Sequence, residues 1–437
     1  MPIKEETTVS PAVAITNGTK TQRVSRMASA LIGSEILRIA ADIRALEAKG
    51  ETICNLTVGD FSPKQFRIPK FFEDSIVRAL WAGETNYPPS DGMPALRKSV
   101  QKFYSEWLGL EYPIESIIAA GGVRPVIYAS YRTLIDPGDE MVYPVPSWNN
   151  NHYIHLVSAK GIPVICPPET SFLPTRELLE PVIRNAKLLV LNSPLNPSGT
   201  AFPTEVLADI CDLVLEENDR RGKTKPLFLL YDQVYWMLTF GGTKHCDPVT
   251  LRPEMRDYTI FLDGISKAFA ATGVRVGWAV GPADIMKPMS NIIGHMGAWA
   301  PRAEQVATAE LLDSTEEIKK YHSHFMAGVQ QRLDALYRHV TSMKKEGFPV
   351  AAIHPQGAIY LSVKFDVIGK RGGDTVLKTN DDIRKYLLDY AGFAVVPFQA
   401  FGLMEDTGWF RLSVGAVSVE DINAGMLRVR KALSELH

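Results

Sequence analysis

Seven apolar segments, separated by stretches of helical character, constrain the fold of this chain more than any other feature of its sequence. Beyond about residue 115 they read SIIAA, EMVYPV, IPVIC, KLLVLN, LFLLYD, TIFLDG and VRVGWAV. Their hydrophobicity is continuous and does not alternate, which is typical of strands covered by helices on both faces. The pattern predicts an α/β fold with a largely parallel central sheet. In such folds ligands bind at the carboxyl ends of the strands.

A change of pattern along the chain predicts two domains. A chain of 437 residues exceeds one ordinary core. After about Arg302, long helical stretches are followed by short strand-like runs near GAIYLSV, AVVPF and WFRLSVG, as in a smaller α+β domain. We expect a mobile arm over residues 1–25, the first part of the small domain over 26–60, a large domain over 61–305 and the rest of the small domain over 306–437.

Composition and charge argue against several classes of partner. The formal net charge is -2 at pH 7, which disfavours a nucleic acid or a membrane surface, and no apolar run reaches the length of a membrane span. The first thirty residues lack the apolar core of a signal peptide, and the four cysteines lie far apart, as expected of reduced, packed thiols. We expect a cytoplasmic protein without a metal site, whose partners are small molecules or another copy of itself.

Two strand ends carry residues with reactive side chains. Lys267 follows TIFLDG directly, where its amine would be partly desolvated and able to form a Schiff base with an aldehyde. Taken alone, an exposed loop lysine is the better interpretation. LFLLYD ends at Asp232, with Tyr235 three residues on, and a buried acid needs a cationic partner such as a protonated pyridine nitrogen. Asp232 is also compatible with a simple helix cap.

Two turns carry candidate ligand contacts. After LLVLN, the NPSG sequence at residues 196–199 is a strong turn signal, and Asn196 either closes that turn or offers its amide to a phenolic oxygen on a ring cofactor. IIAAGGVRPVIYAS runs from a strand through Gly122 into a predicted helix, whose free N–H groups attract a phosphate. Arg275, in GVRVGW, would bind the same phosphate.

Together, and in this order, these motifs resemble one family, the class I and II aminotransferases, which are pyridoxal-phosphate enzymes of fold type I, the aspartate aminotransferase fold. The family's N-P-x-G turn, D-x-x-Y strand end and S-K-x-x-x-x-x-G-x-R-x-G motif are all present, at residues 196–199, 232–235 and 266–277. The similarity covers nearly the whole chain from about Arg26. It implies pyridoxal 5'-phosphate as cofactor, transamination between an α-amino acid and a 2-oxo acid, and a homodimer.

The resemblance also implies a role for each matching residue. Lys267 would hold the cofactor as a Schiff base and move a proton at the substrate's Cα, and Asp232 would keep the ring nitrogen protonated. Tyr235 and Asn196 would hydrogen-bond the phenolic oxygen. Arg411, in WFRLSVG, would bind the substrate's α-carboxylate, with Asn196 beside it.

Further positions match the family's contacts with cofactor and substrate. Trp148, in YPVPSWNNN, would stack on the pyridine, and Tyr87, in NYPPSDGMPALR, would reach the phosphate of the neighbouring subunit. The other expected contacts are Gly122, Val123, Arg124, Ser266 and Arg275 for the cofactor, and Gly59 in NLTVGDFSP for the substrate.

Three departures from the family's pattern leave the substrate open. Val123 stands where aspartate-specific relatives carry a lysine that binds the distal carboxylate. Gly264 stands where many relatives carry a serine that binds the phosphate. Trp299 lies in a segment usually rich in Ser and Thr, where it favours either an aromatic substrate or simple packing. An acidic or aromatic amino-acid donor is expected.

Other functions are compatible with parts of the sequence. Lyases and synthases that perform β-elimination, cyclopropane formation or decarboxylation use the same cofactor, because it stabilises the carbanion common to all these reactions. The motifs do not separate these reactions, and we favour the aminotransferase. A transcription regulator would need a DNA-binding module, for which the N-terminal arm is too short. His152 and His155 fit one face of a helix better than a metal pair, since no acid lies nearby.

Overall fold

The computed structural model describes residues 23–437, except residues 32, 34, 223 and 374. The arm predicted for residues 1–25 lies almost wholly outside the described residues. The helices are α1 (Arg26–Ala30), α2 (Glu35–Glu47), α3 (Lys70–Trp81), α4 (Pro94–Leu108), α5 (Val123–Leu134), α6 (Asn150–Val157), α7 (Arg176–Leu179), α8 (Thr204–Arg221), α9 (Pro248–Leu251), α10 (Ile265–Ala268), α11 (Ala283–Met296), α12 (Arg302–Asp313), α13 (Thr315–Lys345), α14 (Asn380–Ala391) and α15 (Val419–Ser434). The strands are β1 (Cys54–Asn55), β2 (Ile117–Ala120), β3 (Glu140–Val145), β4 (Lys160–Ile165), β5 (Ala186–Asn192), β6 (Phe228–Asp232), β7 (Thr259–Gly264), β8 (Gly277–Val280), β9 (Val350–Ala352), β10 (Tyr360–Phe365), β11 (Arg371–Gly372), β12 (Thr375–Val376), β13 (Phe393–Ala394), β14 (Val396–Pro397) and β15 (Trp409–Ser413).

A seven-stranded sheet forms the centre of the molecule, in the order β2-β8-β7-β6-β5-β3-β4. Its pairs from β4 to β7 are parallel, and β8 runs antiparallel to both of its neighbours. Along β5, Leu188 and Val190 belong to one hydrophobic cluster, and Leu189 and Leu191 belong to another. Successive side chains point to opposite faces, so both faces of the sheet are buried. The predicted α/β fold is confirmed.

A second, antiparallel sheet has the order β14-β15-β10-β9 and packs with helices near the C-terminus. The N-terminal segment joins this part of the molecule, because β1 pairs in parallel with β13, with Cys54 opposite Phe393. Residue 305, the expected domain boundary, lies inside α12, which packs on α3 and α4. The second sheet packs on α13 through β9 and β10, and the domain division stays a prediction.

Local sequence explains where the helices of this second unit begin. The hydroxyl of Thr379 accepts a hydrogen bond from the Asp382 N–H, and the Asp382 carboxylate accepts one from the Thr379 N–H. Ser418 and Asp421 repeat the arrangement at the start of α15. Each pair satisfies N–H groups that have no partner within the helix. Among the described residues, no helix is both long enough and apolar enough to cross a membrane.

Candidate active site

The carboxyl ends of neighbouring strands bring the predicted residues to one edge of the central sheet. In the register of β5 and β6, Asn192 lies opposite Asp232, and Asp232 lies opposite Leu262 of β7. The chain then turns from β7 into α10, which carries Lys267. Segments that are far apart in the sequence therefore meet at a single edge of the sheet.

The amine of Lys267 lies in a partly buried environment, between two acids and two cations. Its Nζ donates a hydrogen bond to the Gly59 carbonyl at 2.7 Å. Burial lowers the pKa of Lys267 to about 8; Asp60 opposes this shift, and the cations Arg411 and Arg124 add to it. A substantial fraction of the amine is therefore neutral near pH 8, as a nucleophilic amine must be.

Asp232 closes β6 as a partly buried acid. Burial raises its pKa to about 6, while the Val234 N–H and the charge of Lys267 act in the opposite direction. The Val234 N–H bonds the carboxylate at 3.2 Å. A cation placed against this carboxylate would stabilise its charged form, because opposite charge lowers the pKa of an acid.

The Tyr235 hydroxyl lies 2.7 Å from the Tyr360 hydroxyl, and their rings pack edge to face. Burial raises the pKa of Tyr235 well above its ordinary value. Both phenols therefore remain protonated at neutral pH and are able to donate hydrogen bonds.

Arg411 is a buried cation that has no anionic partner in the part of the chain that the structure describes. Only 1% of its surface is exposed. Its Nη1 donates to Asn196 Oδ1 at 3.1 Å, and its Nη2 donates to the Thr57 carbonyl at 2.6 Å. Its Nε has no partner among the described residues. Because a buried charge is costly unless it is paired, this guanidinium forms a site for a carboxylate.

The start of α5 forms a second site for an anion. Gly122 has φ of 93°, and as the residue before α5 it offers no side chain to cap the N–H groups of the first turn. The guanidinium of Arg275 donates to the Thr272 carbonyl at 2.8 Å and to the Gly121 carbonyl at 3.0 Å. A Cβ on Gly122 would lie 2.2 Å from Arg275 Nη2, so only glycine allows this approach. Free N–H groups beside an arginine fit a phosphate group.

The two glycines around Arg275 have different surroundings. A Cβ on Gly277 would lie 2.6 Å from the Val123 nitrogen and 2.7 Å from the Gly122 carbonyl carbon, whereas a Cβ on Gly273 would meet nothing within 4 Å. Close packing of β8 against the start of α5 therefore requires Gly277. Space alone does not require Gly273.

The other predicted contacts lie around these two anion sites. The guanidinium of Arg124 lies 4.7 Å from the centre of the Trp148 ring. Val123 and Ser266 are buried, at the start of α5 and in α10. Tyr87 is 81% exposed, and its ring lies 5.1 Å from that of Trp299.

The histidines lie where their spacing predicts, on α6. His155 Nε2 bonds the Met27 carbonyl at 2.8 Å, and burial together with His155 lowers the pKa of His152. Within the described ranges, no group of three or more His, Cys, Asp or Glu residues is arranged to hold a metal ion.

Sequence reasoning missed residues that border the site. The central carbon of the Arg411 guanidinium lies 4.7 Å from the centre of the Tyr360 ring and 4.8 Å from the centre of the Phe401 ring. Asp60 accepts a hydrogen bond from Thr272. Tyr360 lies within the predicted strand GAIYLSV and two residues from Ser362, which pairs with Arg411. The pairing of Ser362 with Arg411 would have placed Tyr360 near the site, but this pairing is known only once the strand register is known.

The geometry fits pyridoxal phosphate. The start of α5 with Arg275 suits its phosphate, Asp232 suits its ring nitrogen, and the amine of Lys267 suits its aldehyde. A groove of about 860 Å³ lies elsewhere, between Trp107 and Met326, and its lining includes none of these residues. The chemistry of the side chains, and not the size of a cavity, identifies the site.

Comparisons with known proteins agree with this geometry. Residues 51–428 match the family described as aminotransferase class I and II. An aspartate aminotransferase of Rhizobium meliloti (strain 1021) is 29% identical over 95% of this chain and 97% of its own, and a probable aspartate/prephenate aminotransferase of Rhizobium leguminosarum bv. phaseoli is 30% identical over 91% and 95%. Among solved structures, an aspartate aminotransferase from Rhizobium meliloti superposes with a TM-score of 0.86 at 27% identity, covering 95% of this chain and 100% of its own. The aspartate aminotransferase of Thermus thermophilus with maleate has a TM-score of 0.84 at 27% identity, covering 94% and 100%. This chain belongs to the family of class I and II aminotransferases, which carry out transamination with pyridoxal phosphate.

Proposed function

We propose that this enzyme transfers the amino group of an acidic α-amino acid to a 2-oxo acid, with pyridoxal phosphate bound at Lys267. The observation that carries the proposal is the unpaired guanidinium of Arg411, which lies beside Asn196 and near Lys267. A substrate carboxylate bound there would place the α-carbon near the amine that moves its proton.

The chain's own residues supply binding, orientation and proton transfer. Arg411 would bind the α-carboxylate through two parallel hydrogen bonds. The amine of Lys267, neutral in part near pH 8, would take the proton from the substrate's Cα. The Tyr235 hydroxyl, held by Tyr360, would donate a hydrogen bond to the phenolic oxygen of the cofactor. The bound cofactor supplies an electron sink for the carbanion that this proton transfer produces.

Two observations favour an acidic donor over an aromatic one. The similar proteins carry the name aspartate aminotransferase or probable aspartate/prephenate aminotransferase, and one of the similar structures is described with maleate, a dicarboxylate. Arg124 is exposed, contacts the Trp148 ring, and forms no ion pair with any described residue. Its guanidinium is available for a second carboxylate, a role that Val123 is unable to fill.

We further propose a cytoplasmic homodimer. Tyr87 is exposed beside Trp299, close to the start of α5, since the Gly121 N–H donates to the Ala298 carbonyl. An exposed tyrosine in this place suits a contact with the site of a partner subunit. All four cysteines are free, and three of them are buried, which suits a reducing compartment.

The test is an absorbance spectrum of the purified enzyme, recorded again after single amino acids are added. Aspartate or glutamate should convert the visible band of the bound cofactor, and a 2-oxo acid should restore it. Conversion by aromatic amino acids alone would refute the acidic donor. Release of ammonia without conversion of the band would point to a lyase, which the names of the similar proteins do not favour.

A further inference from the structure

Asp263 is a buried carboxyl group that the proposed reaction does not use. It lies in β7, four residues before Lys267, and is 1% exposed. Burial raises the pKa of this carboxyl and the nearby charge of Asp232 adds to the rise, while the hydrogen bonds from Gly264, Trp236 and Tyr104 oppose it. Keeping an acid in such a place is costly unless its oxygens are hydrogen-bonded.

Three donors converge on this carboxyl. The Gly264 N–H donates to Oδ1 at 2.7 Å, and the Trp236 indole Nε1–H donates to Oδ2 at 2.9 Å. The Tyr104 hydroxyl lies 3.3 Å from Oδ2. That hydroxyl accepts from Gln233 Nε2 and Trp278 Nε1, so its own proton points to Asp263. The carboxyl therefore acts as an acceptor at both oxygens.

Two of these donors, Gly264 and Trp236, belong to segments that carry a proposed catalytic residue, and the third, Tyr104 of α4, is hydrogen-bonded to such a segment. Gly264 begins the turn into α10 and Lys267. Trp236 follows Tyr235 directly. Through Tyr104, the network reaches Gln233, which follows Asp232 and whose Oε1 bonds His245 Nε2 at 3.2 Å.

We propose that Asp263 is a positioning residue, which ties the loop after β6 to the turn before α10 and so fixes Asp232, Tyr235 and Lys267 relative to one another. This inference rests on the proposed function, because it assumes that these three residues surround the cofactor. Hydrogen bonds to a buried acceptor hold their donors within narrow limits of distance and angle.

The test is Asp263→Asn in the cofactor-loaded enzyme. The amide has one acceptor oxygen, and its NH₂ group would face a donor, so at least one of the three bonds is lost without a change of volume. We expect kcat to fall about tenfold with little change in KM, because the loop after β6 and the turn before α10 would no longer hold Asp232, Tyr235 and Lys267 in place. We also expect a shifted pH midpoint of the cofactor's visible band, because the Asp232 and Tyr235 contacts with the ring would change.

Asp247→Asn is the matched control. Asp247 is also a buried acid, and its Oδ1 accepts from the Val249 and Thr250 N–H groups at the start of α9. The control should lower the melting temperature and leave the midpoint of the band unchanged. If Asp263→Asn also lowers the melting temperature and leaves the midpoint of the band unchanged, Asp263 is structural and the proposal fails.

Tyr104→Phe is measured if Asp263→Asn does not fold. It keeps the ring and removes the hydroxyl that joins Asp263 to Gln233 and accepts from Trp278, so a shifted midpoint supports the proposal and an unchanged midpoint overturns it. The pH titration needs no substrate. It therefore remains decisive even if the enzyme uses an amino acid other than an acidic one.

Discussion

Arg411 and Lys267 are a buried and a partly buried cation in one site, and their surroundings make each differ from an exposed residue of its type. Arg411 keeps its charge and has no anionic partner among the described residues. Lys267 loses its proton more readily than an exposed lysine does. One residue is therefore suited to binding an anion, and the other to nucleophilic attack and proton transfer.

Arg411→Ala should raise KM for every amino-acid substrate. Removing one partner of a buried charge pair leaves the substrate carboxylate unpaired, which costs on the order of 3 to 5 kcal/mol. Steady-state kinetics with several donors would measure this effect. Arg384→Ala is the control, since Arg384 is equally buried but pairs with Asp42 and Asp381. It should lower stability and leave KM unchanged; an unchanged KM in Arg411→Ala would instead mean that the carboxylate binds elsewhere.

The rate of cofactor capture by the apoenzyme should rise with pH and level off above about pH 8. The reason is that the pKa of Lys267 is lowered to about 8, and only the neutral amine attacks an aldehyde. Stopped-flow absorbance at a series of pH values measures the rate. A midpoint near 10.5, the ordinary lysine value, would contradict the partly buried environment described for the amine. Lys267→Ala should show no covalent capture at any pH.

Arg124→Gln should raise KM for aspartate or glutamate and leave KM for alanine unchanged. The variant removes the guanidinium near Trp148 that is available for a second carboxylate. Arg132→Gln is the control, since Arg132 is an exposed arginine near the end of the same helix, and it should leave KM unchanged for all donors. Equal changes in KM for acidic and neutral donors would show that Arg124 does not distinguish side chains.

At the scale of elements, the junction of β8 with α5 determines the geometry of the phosphate site. Gly277→Ala would place a methyl group against the backbone of Gly122 and Val123, which is unable to yield as a flexible side chain would. We expect a loss of roughly 1 to 3 kcal/mol in the free energy of unfolding. Cofactor binding should weaken as well. Thermal unfolding and equilibrium titration with pyridoxal phosphate measure the two effects.

Gly273→Ala provides the matched comparison within the same motif. No atom lies within 4 Å of the added Cβ, and its backbone is not among the left-handed positions. This variant should bind the cofactor normally. If both substitutions weakened cofactor binding equally, the close approach of β8 to the start of α5 would not be the reason for Gly277.

At the scale of the whole molecule, the proposed homodimer would bring the exposed Tyr87 to the site of the partner subunit. Tyr87→Phe should weaken cofactor binding if the hydroxyl reaches the partner's phosphate. Dilution of the wild-type enzyme should dissociate the proposed dimer and release cofactor in parallel. Sedimentation velocity would measure the dissociation, and the absorbance of the visible band would measure the loss of cofactor. A monomer that keeps its full band at high dilution would exclude this contribution. Tyr390→Phe, another exposed tyrosine outside the site, is the control.

The sequence alone predicted the parallel sheet and the turns at its edge, because these depend on local patterns. Continuous apolar runs indicate strands with two buried faces, and residues that directly follow such runs lie at their carboxyl ends. On that basis the sequence predicts that Lys267 and Asp232 lie at the edge of the sheet. The resemblance of the surrounding motifs to those of the family implies their roles. The roles themselves stay predictions until the variants are measured.

Only the tertiary structure decided which distant residues meet. Arg411 and Asn196 are 215 positions apart and touch because β15 carries the guanidinium to the turn after β5. The sequence does not indicate Tyr360 or Asp263 as site residues, since a tyrosine in a strand and an acid near a turn are both common. Their roles arise from strand register and from the packing of side chains between segments. Local sequence patterns do not determine either, because both depend on how the whole chain folds.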